Sequence, residues 1–163
     1  MFSIFLTQRE TDDSTAYRSG HWISLLPGLL RAIEYTSVTR WHKKYYLSAH
    51  REPFDIAKMN ERCKGLGGYL LEINGRGEQS FMRHLMKRSG AKREIVYTGL
   101  TDLGQEGHFY YYHSKKPMAG AYFKRRQPDN YKGIEHCTNL MRGGLNDLDC
   151  HTNARYICEV HLK

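Results

Sequence analysis

Residues 127–150 read QPDNYKGIEHCTNLMRGGLNDLDC. Pro128 stands between an amide, Gln127, and a carboxylate, Asp129. Glu135 comes just before Cys137, and Asn146-Asp147 come just before Cys150. Singly, these are good polar turns. Together they bring five side chains with carbonyl or carboxylate oxygens into one short stretch: Gln127, Asp129, Glu135, Asn146 and Asp147. Hard cations such as Ca2+ take roughly six to eight oxygen ligands. Three carboxylates more than match such an ion's charge. Two amides add neutral oxygens and keep NH2 groups that can donate to a ligand. If the bond before Pro128 is cis, an isomer almost confined to proline, its two neighbours point into the same space.

Outward from this stretch, regular periods return. Trp41–Ser48 is rich in aromatics and reads as a strand. Pro53 opens a helix running to Cys63, with Phe54, Ala57 and Cys63 facing inward, and Gly65, Gly67 and Gly68 stop it. Tyr69–Ile73 reads as a short strand. Asn74 caps a second helix to about Arg88, with Phe81, Leu85 and Met86 on one face. Residues 94–100, 108–113, 137–141 and 155–160 read as strands. From Ser114 to about Lys132 the pattern dissolves, with Phe123 as a buried anchor. Helices early, strands late and a long irregular stretch between them give an α+β domain. A long structureless loop inside a compact domain is usually functional.

Two parts are expected: an N-terminal arm, 1–40, with one short helix near Leu25–Ile33, and a domain, 41–163. Residues 1–40 carry equal numbers of acidic and basic side chains, so the whole formal charge of +8 lies in the domain. Its cations are scattered in pairs and triples, without a basic helical stripe or a nucleic-acid module, so nucleic acid is not an expected partner. The charge suits acidic glycans or anionic cell surfaces. No apolar run is long enough to span a membrane, and no standard signal peptide is visible.

The four cysteines, Cys63, Cys137, Cys150 and Cys158, allow three pairings. They include no tight C-x2-C pair of the kind structural zinc sites use, although His136 and His151 stand beside two of them. Two disulfides fit better and imply an oxidising compartment. A Cys63–Cys158 bridge would tie the first helix to the last strand. A Cys137–Cys150 bridge would close a short loop. No nucleophile-elbow, zinc-protease or phosphate-loop motif occurs, so an enzyme is not expected.

From about Trp41 to His161 the chain resembles the C-type lectin-like domain. The motifs are LGGYLLEI, YTGLTDLGQEGHFYYY, QPDN, EHC, LNDLDC and YICE, in that order. The look is that of secreted single-domain invertebrate lectins. The resemblance implies two helices, small antiparallel sheets, a long calcium- and sugar-binding loop, and the disulfides Cys63–Cys158 and Cys137–Cys150. It makes Gln127, Asp129, Glu135, Asn146 and Asp147 the ligands of one Ca2+ and of the sugar hydroxyls on it. Gln-Pro-Asp is typical of galactose or GalNAc binders, and Tyr131 stands where such sites stack an aromatic on the sugar. Only Tyr131–Ile134 separate Asn130 from Glu135, a shorter loop than many galactose binders have.

A second, weaker calcium site would use Asp102, Glu106, Asn130 and Glu135. There His136 replaces an acidic residue, and nitrogen suits a hard cation poorly. Tyr97, Phe123 and Leu145 replace family tryptophans while staying apolar. The expected function is calcium-dependent glycan binding outside the cell, in recognition of microbial or self glycans, with homo-oligomers left open. The alternative is a lectin-fold protein that binds a protein or a surface without sugar. Lys124, Arg125 and Arg126, just before the triplet, are candidates for contact with sulfate or uronate groups.

Overall fold

The computed structural model describes residues 35–118 and 122–163. The helix expected near Leu25–Ile33 lies outside the described residues. The chain opens with a hairpin, β1 (Tyr35–Arg40) and β2 (Lys43–Ser48). The strand read at Trp41–Ser48 therefore starts two residues late. Trp41 and His42, at φ 53° and 56°, form the tight turn instead. Two consecutive left-handed residues match the twist that a two-residue hairpin needs, and no glycine advertises this one.

After β3 (Glu52–Pro53) comes α1 (Ile56–Gly65). Pro53 does not open the helix. It belongs to β3, and Asp55 is the N-cap, accepting from the Lys58 N–H at 2.9 Å. A cap must offer a side-chain oxygen to the first turn, and proline has none. The inward face is therefore Ile56, Met59, Asn60 and Cys63, while Ala57 is exposed. Gly67, at φ 84°, ends the helix as expected, with N–H groups of residues 66–68 donating to Cys63 and Lys64 carbonyls. Then follow β4 (Tyr69–Leu70) and α2 (Arg76–Arg88). Asn74 lies just before the Gly75 N-cap rather than on it. Its N–H still donates to Glu78 at 2.7 Å, so that carboxylate closes the helix start.

The remaining strands are β5 (Val96–Thr101), β6 (Tyr110–Tyr111), β7 (Cys137–Met141), β8 (Gly144–Leu148) and β9 (Asn153–His161). The main sheet runs β1-β2-β9-β5-β7-β8, with β3 and β4 on β9 and β6 on β5. The sheet is mixed rather than wholly antiparallel, because β5 and β9 pair in parallel. Cys63–Cys158 ties α1 to β9, and Cys137–Cys150 closes the loop around β7 and β8. Tyr97 is fully buried, stacked on Phe54 at 3.8 Å, and burial pushes its hydroxyl up to about 12. Leu145 is also fully buried, and Phe123 meets Phe109 edge-on at 4.8 Å. Tyr97 and Leu145 thus fill core positions, and half-buried Phe123 packs against the core. Among the described residues no helix is long and apolar enough to cross a membrane.

Candidate calcium and sugar site

The sequence reading has no strand at 144–148, yet β8 is what positions half of the site. It pairs with β7 in antiparallel register, Thr138 opposite Asp147 and Asn139 opposite Asn146. Its other edge takes the incoming loop: Leu145 N–H donates to Tyr122 O, and Lys124 N–H to Leu145 O, each at 2.8 Å. This close approach depends on Gly144. A Cβ there would lie 2.4 Å from Lys124 N, and its φ of 156° disfavours any side chain. The strand signal is weak because Gly144 and the polar Asn146-Asp147 pair break its alternation.

Alternation along β8 buries Leu145 and Asp147 while Asn146 stays half-exposed. Asp147, 1% exposed, accepts from the N–H groups of Asp129 (3.2 Å) and Asn130 (2.7 Å). Those bonds bind the loop after the cis Gln127–Pro128 peptide to β8. Asn130 turns the chain with φ 40°, and its side-chain oxygen accepts from Glu135 N–H at 3.1 Å. Glu135 in turn accepts from Tyr131 N–H at 2.8 Å. Asn146 donates to the carbonyl of Asp147.

The result is convergence. Asp129, Glu135 and Asp147 each offer a carboxylate oxygen, all within 4.8 Å of one another. Burial, then repulsion from Asp147 and Asp129, pushes the Glu135 carboxyl up, only partly offset by the Tyr131 N–H. No Lys, Arg or His among the described residues forms an ion pair with any of the three. Gln127 Oε1 is buried without a hydrogen-bond partner, a costly arrangement for an amide oxygen. Three hard carboxylates and an orphaned carbonyl oxygen fit a hard divalent cation.

A second cluster lies beside the first. Asp102, fully buried, and Glu106 face His136, whose Nδ1 is 3.2 Å from Asp102 Oδ1 and 3.4 Å from Glu106 Oε2. Of the residues considered for a second calcium site, Asp102 and Glu106 meet here, while Glu135 groups with Asp129 and Asp147 and the Asn130 side-chain oxygen accepts from Glu135 N–H. Tyr131 is 63% exposed, with Lys132 Nζ 5.3 Å from its ring centre. An open groove of about 1050 Å³ runs past Gln127 and Pro128, lined also by Leu103, Phe109, Tyr110 and Met118.

A family model described as the lectin C-type domain matches residues 52–160. The chain belongs to the C-type lectin domain family. This is a family of carbohydrate-binding domains, not of enzymes. As a C-type lectin, it is similar to the hemolymph lipopolysaccharide-binding protein of Periplaneta americana, 32% identical over 127 residues, covering 72% of this chain and 49% of that protein. It thus spans about half of that relative. It is also similar to the galactose-specific lectin nattectin of Thalassophryne nattereri, 28% identical, covering 74% and 77%. The carbohydrate-recognition domain of the mouse scavenger receptor C-type lectin superposes with a TM-score of 0.67 at 28% identity, covering 78% of this chain and 94% of that one.

Proposed function

We propose that this C-type lectin binds galactose-type glycans through one Ca2+ ion held by Gln127, Asp129, Glu135, Asn146 and Asp147. The observation that carries this reading is the meeting of three carboxylates; Gln127, two residues before Asp129, adds a buried side-chain oxygen without a hydrogen-bond partner. When bound, calcium supplies electrostatic attraction for sugar hydroxyls. The chain's own residues decide which sugar fits. Gln127 brings an amide, which can donate as well as accept, and Asp129 a carboxylate, which only accepts. Their order across Pro128 sets the direction of hydrogen bonds offered to neighbouring hydroxyls, and Gln-before-Asp is the order resembling galactose binders. The similarity to nattectin, a galactose-specific lectin, supports the same choice. Tyr131, exposed on the short loop, is the candidate platform for the apolar sugar face.

The same reading puts the protein outside the cell. Both disulfides favour an oxidising compartment, and relatives carry names from hemolymph and saliva. Recognition of microbial or self glycans is the matching role. At the Asp102–Glu106–His136 cluster the ring nitrogen makes calcium a poor occupant, so the sugar site alone is assigned the ion.

The test is affinity chromatography on galactose and mannose resins in calcium. Retention on galactose, elution by chelator and little retention on mannose are expected. Failure on both resins, with no calcium binding up to about the millimolar range typical of weak extracellular modules, would favour binding of a protein or surface without sugar.

A further inference from the structure

The turn that leads into the site is built from cations. Lys124, Arg125 and Arg126 come immediately before Gln127. Gln127 N–H donates to Lys124 O at 2.9 Å, closing a four-residue turn with Arg125 and Arg126 at its two exposed corners. Arg126 has φ 70°. That left-handed value belongs to the third residue of a type II turn, where glycine or asparagine sits without a Cβ clash. An arginine held in that conformation is an uncommon choice for a plain turn.

The turn is also fixed in place. Lys124 N–H bonds Leu145 O at 2.8 Å, one residue before Asn146 and two before Asp147. On the far side, a Cβ added to Gly143 would lie 3.6 Å from Lys124 Cγ, so the Arg142–Gly143 turn runs alongside. Lys124, Arg125, Arg126 and Arg142 are exposed, and among the described residues none takes part in an ion pair. Lys43, Arg51, Arg62 and Arg155 do. Four unpaired cations therefore flank a site whose three carboxylates would keep one net negative charge once a divalent ion is bound.

We propose that this rim selects glycans whose sugar in the site itself bears an anionic group, sulfate or uronate carboxylate, with Arg125 and Arg126 as the specificity-determining residues. The inference rests on the calcium–sugar reading above. A guanidinium presents two parallel N–H donors that match two oxygens of a carboxylate or sulfate. Both arginines are exposed, so each contact is modest. Together they favour the anionic sugar by about five- to twentyfold at low salt. The preference shrinks in roughly 0.5 M salt, where screening shortens the reach of exposed charges.

The experiment elutes the full chain from galactose resin, in calcium and low salt, with methyl galactoside, its 3-O- and 6-O-sulfates, and methyl galacturonoside. A sulfated or uronate sugar is expected to elute at about five- to twentyfold lower concentration than the neutral one. R125Q/R126Q is expected to bring that ratio near one while neutral-sugar elution stays unchanged. The sulfate and galacturonoside arms tell which anion is preferred. Equal potency of all four competitors, or a ratio unmoved in the variant, overturns this inference alone. Retention of the anionic preference in high salt also overturns it. A protein that galactose resin fails to retain in calcium overturns the sugar reading and this inference with it, before any anionic competitor is added.

Discussion

Two groups of three carboxylates lie in this molecule and differ in one respect. Glu72, Glu78 and Glu159 sit at the base of the fold, each nearly or fully buried. Asp129, Glu135 and Asp147 sit in the loop. At the base, Lys43 Nζ lies 3.0 Å from Glu78 and 3.2 Å from Glu159. The Tyr45 hydroxyl donates to Glu78 at 2.6 Å, and backbone N–H groups serve Glu72 and Glu159. The loop cluster accepts from the backbone N–H groups of Asp129, Asn130 and Tyr131. The base holds its own cation, Lys43. The loop cluster pairs with no cation among the described residues. Carboxylate clustering by itself therefore says little about function; the presence or absence of an internal cation separates structure from binding.

The largest expected effect breaks the base. Lys43→Met leaves Glu78 and Glu159 without their cation, and breaking a buried pair typically costs about 3–5 kcal/mol. Urea denaturation at neutral pH should show that loss. A loss below about 1 kcal/mol would mean the base does not depend on Lys43. Calcium affinity of the folded variant should be unchanged, because the site is held by β8.

Next in size is a pH effect of the base. Burial pushes the Glu159 carboxyl up to about 7, with Lys43 only partly opposing it. Its folded value lies above its unfolded value, so its contribution is fully present below the unfolded pKa, near 4.5. It is lost as pH rises through about 7. The stability of the parent chain minus that of Glu159→Gln should therefore fall across this window, by on the order of 3 kcal/mol. A flat difference curve would show that Glu159 titrates at the same pH folded and unfolded.

The loop should answer the opposite manipulation. Glu135→Gln removes one of three carboxylates and is expected to weaken calcium binding about thirtyfold, or about 2 kcal/mol, by calorimetric titration. Without calcium the melting temperature should hold or rise, since repulsion from Asp129 and Asp147 is relieved. A clear fall in that temperature would make Glu135 a structural residue like those of the base. The smallest effect is expected of Tyr131→Ala, about three- to fivefold weaker galactose binding at unchanged calcium affinity. No change would mean that the short loop holds the ring away from the sugar.

Much of the candidate site was legible along the chain because its candidate ligands cluster in sequence. Gln127, Asp129 and Glu135 lie on one loop, and Asn146-Asp147 are adjacent, so residue type and spacing carry the signal. The base was illegible for the opposite reason. Lys43, Glu78 and Glu159 come from β2, α2 and β9 and are joined only by folding. β8 was illegible because Gly144 and the polar Asn146-Asp147 pair hide its alternation. The start of α1 was misread because Pro53 and Asp55 both signal a boundary, and only the Asp55 hydrogen bond decides between them.

The sequence alone determined the α+β class, the cysteine count, the candidate oxygen ligands and the cationic run before Gln127. Those are properties of residue type and local order. Only the tertiary structure decided the disulfide partners, the parallel β5–β9 pair and the division of acidic residues into a base that holds Lys43 and a loop without a paired cation among the described residues. These depend on contacts between segments far apart in sequence, and distance in space is what a one-dimensional pattern does not encode.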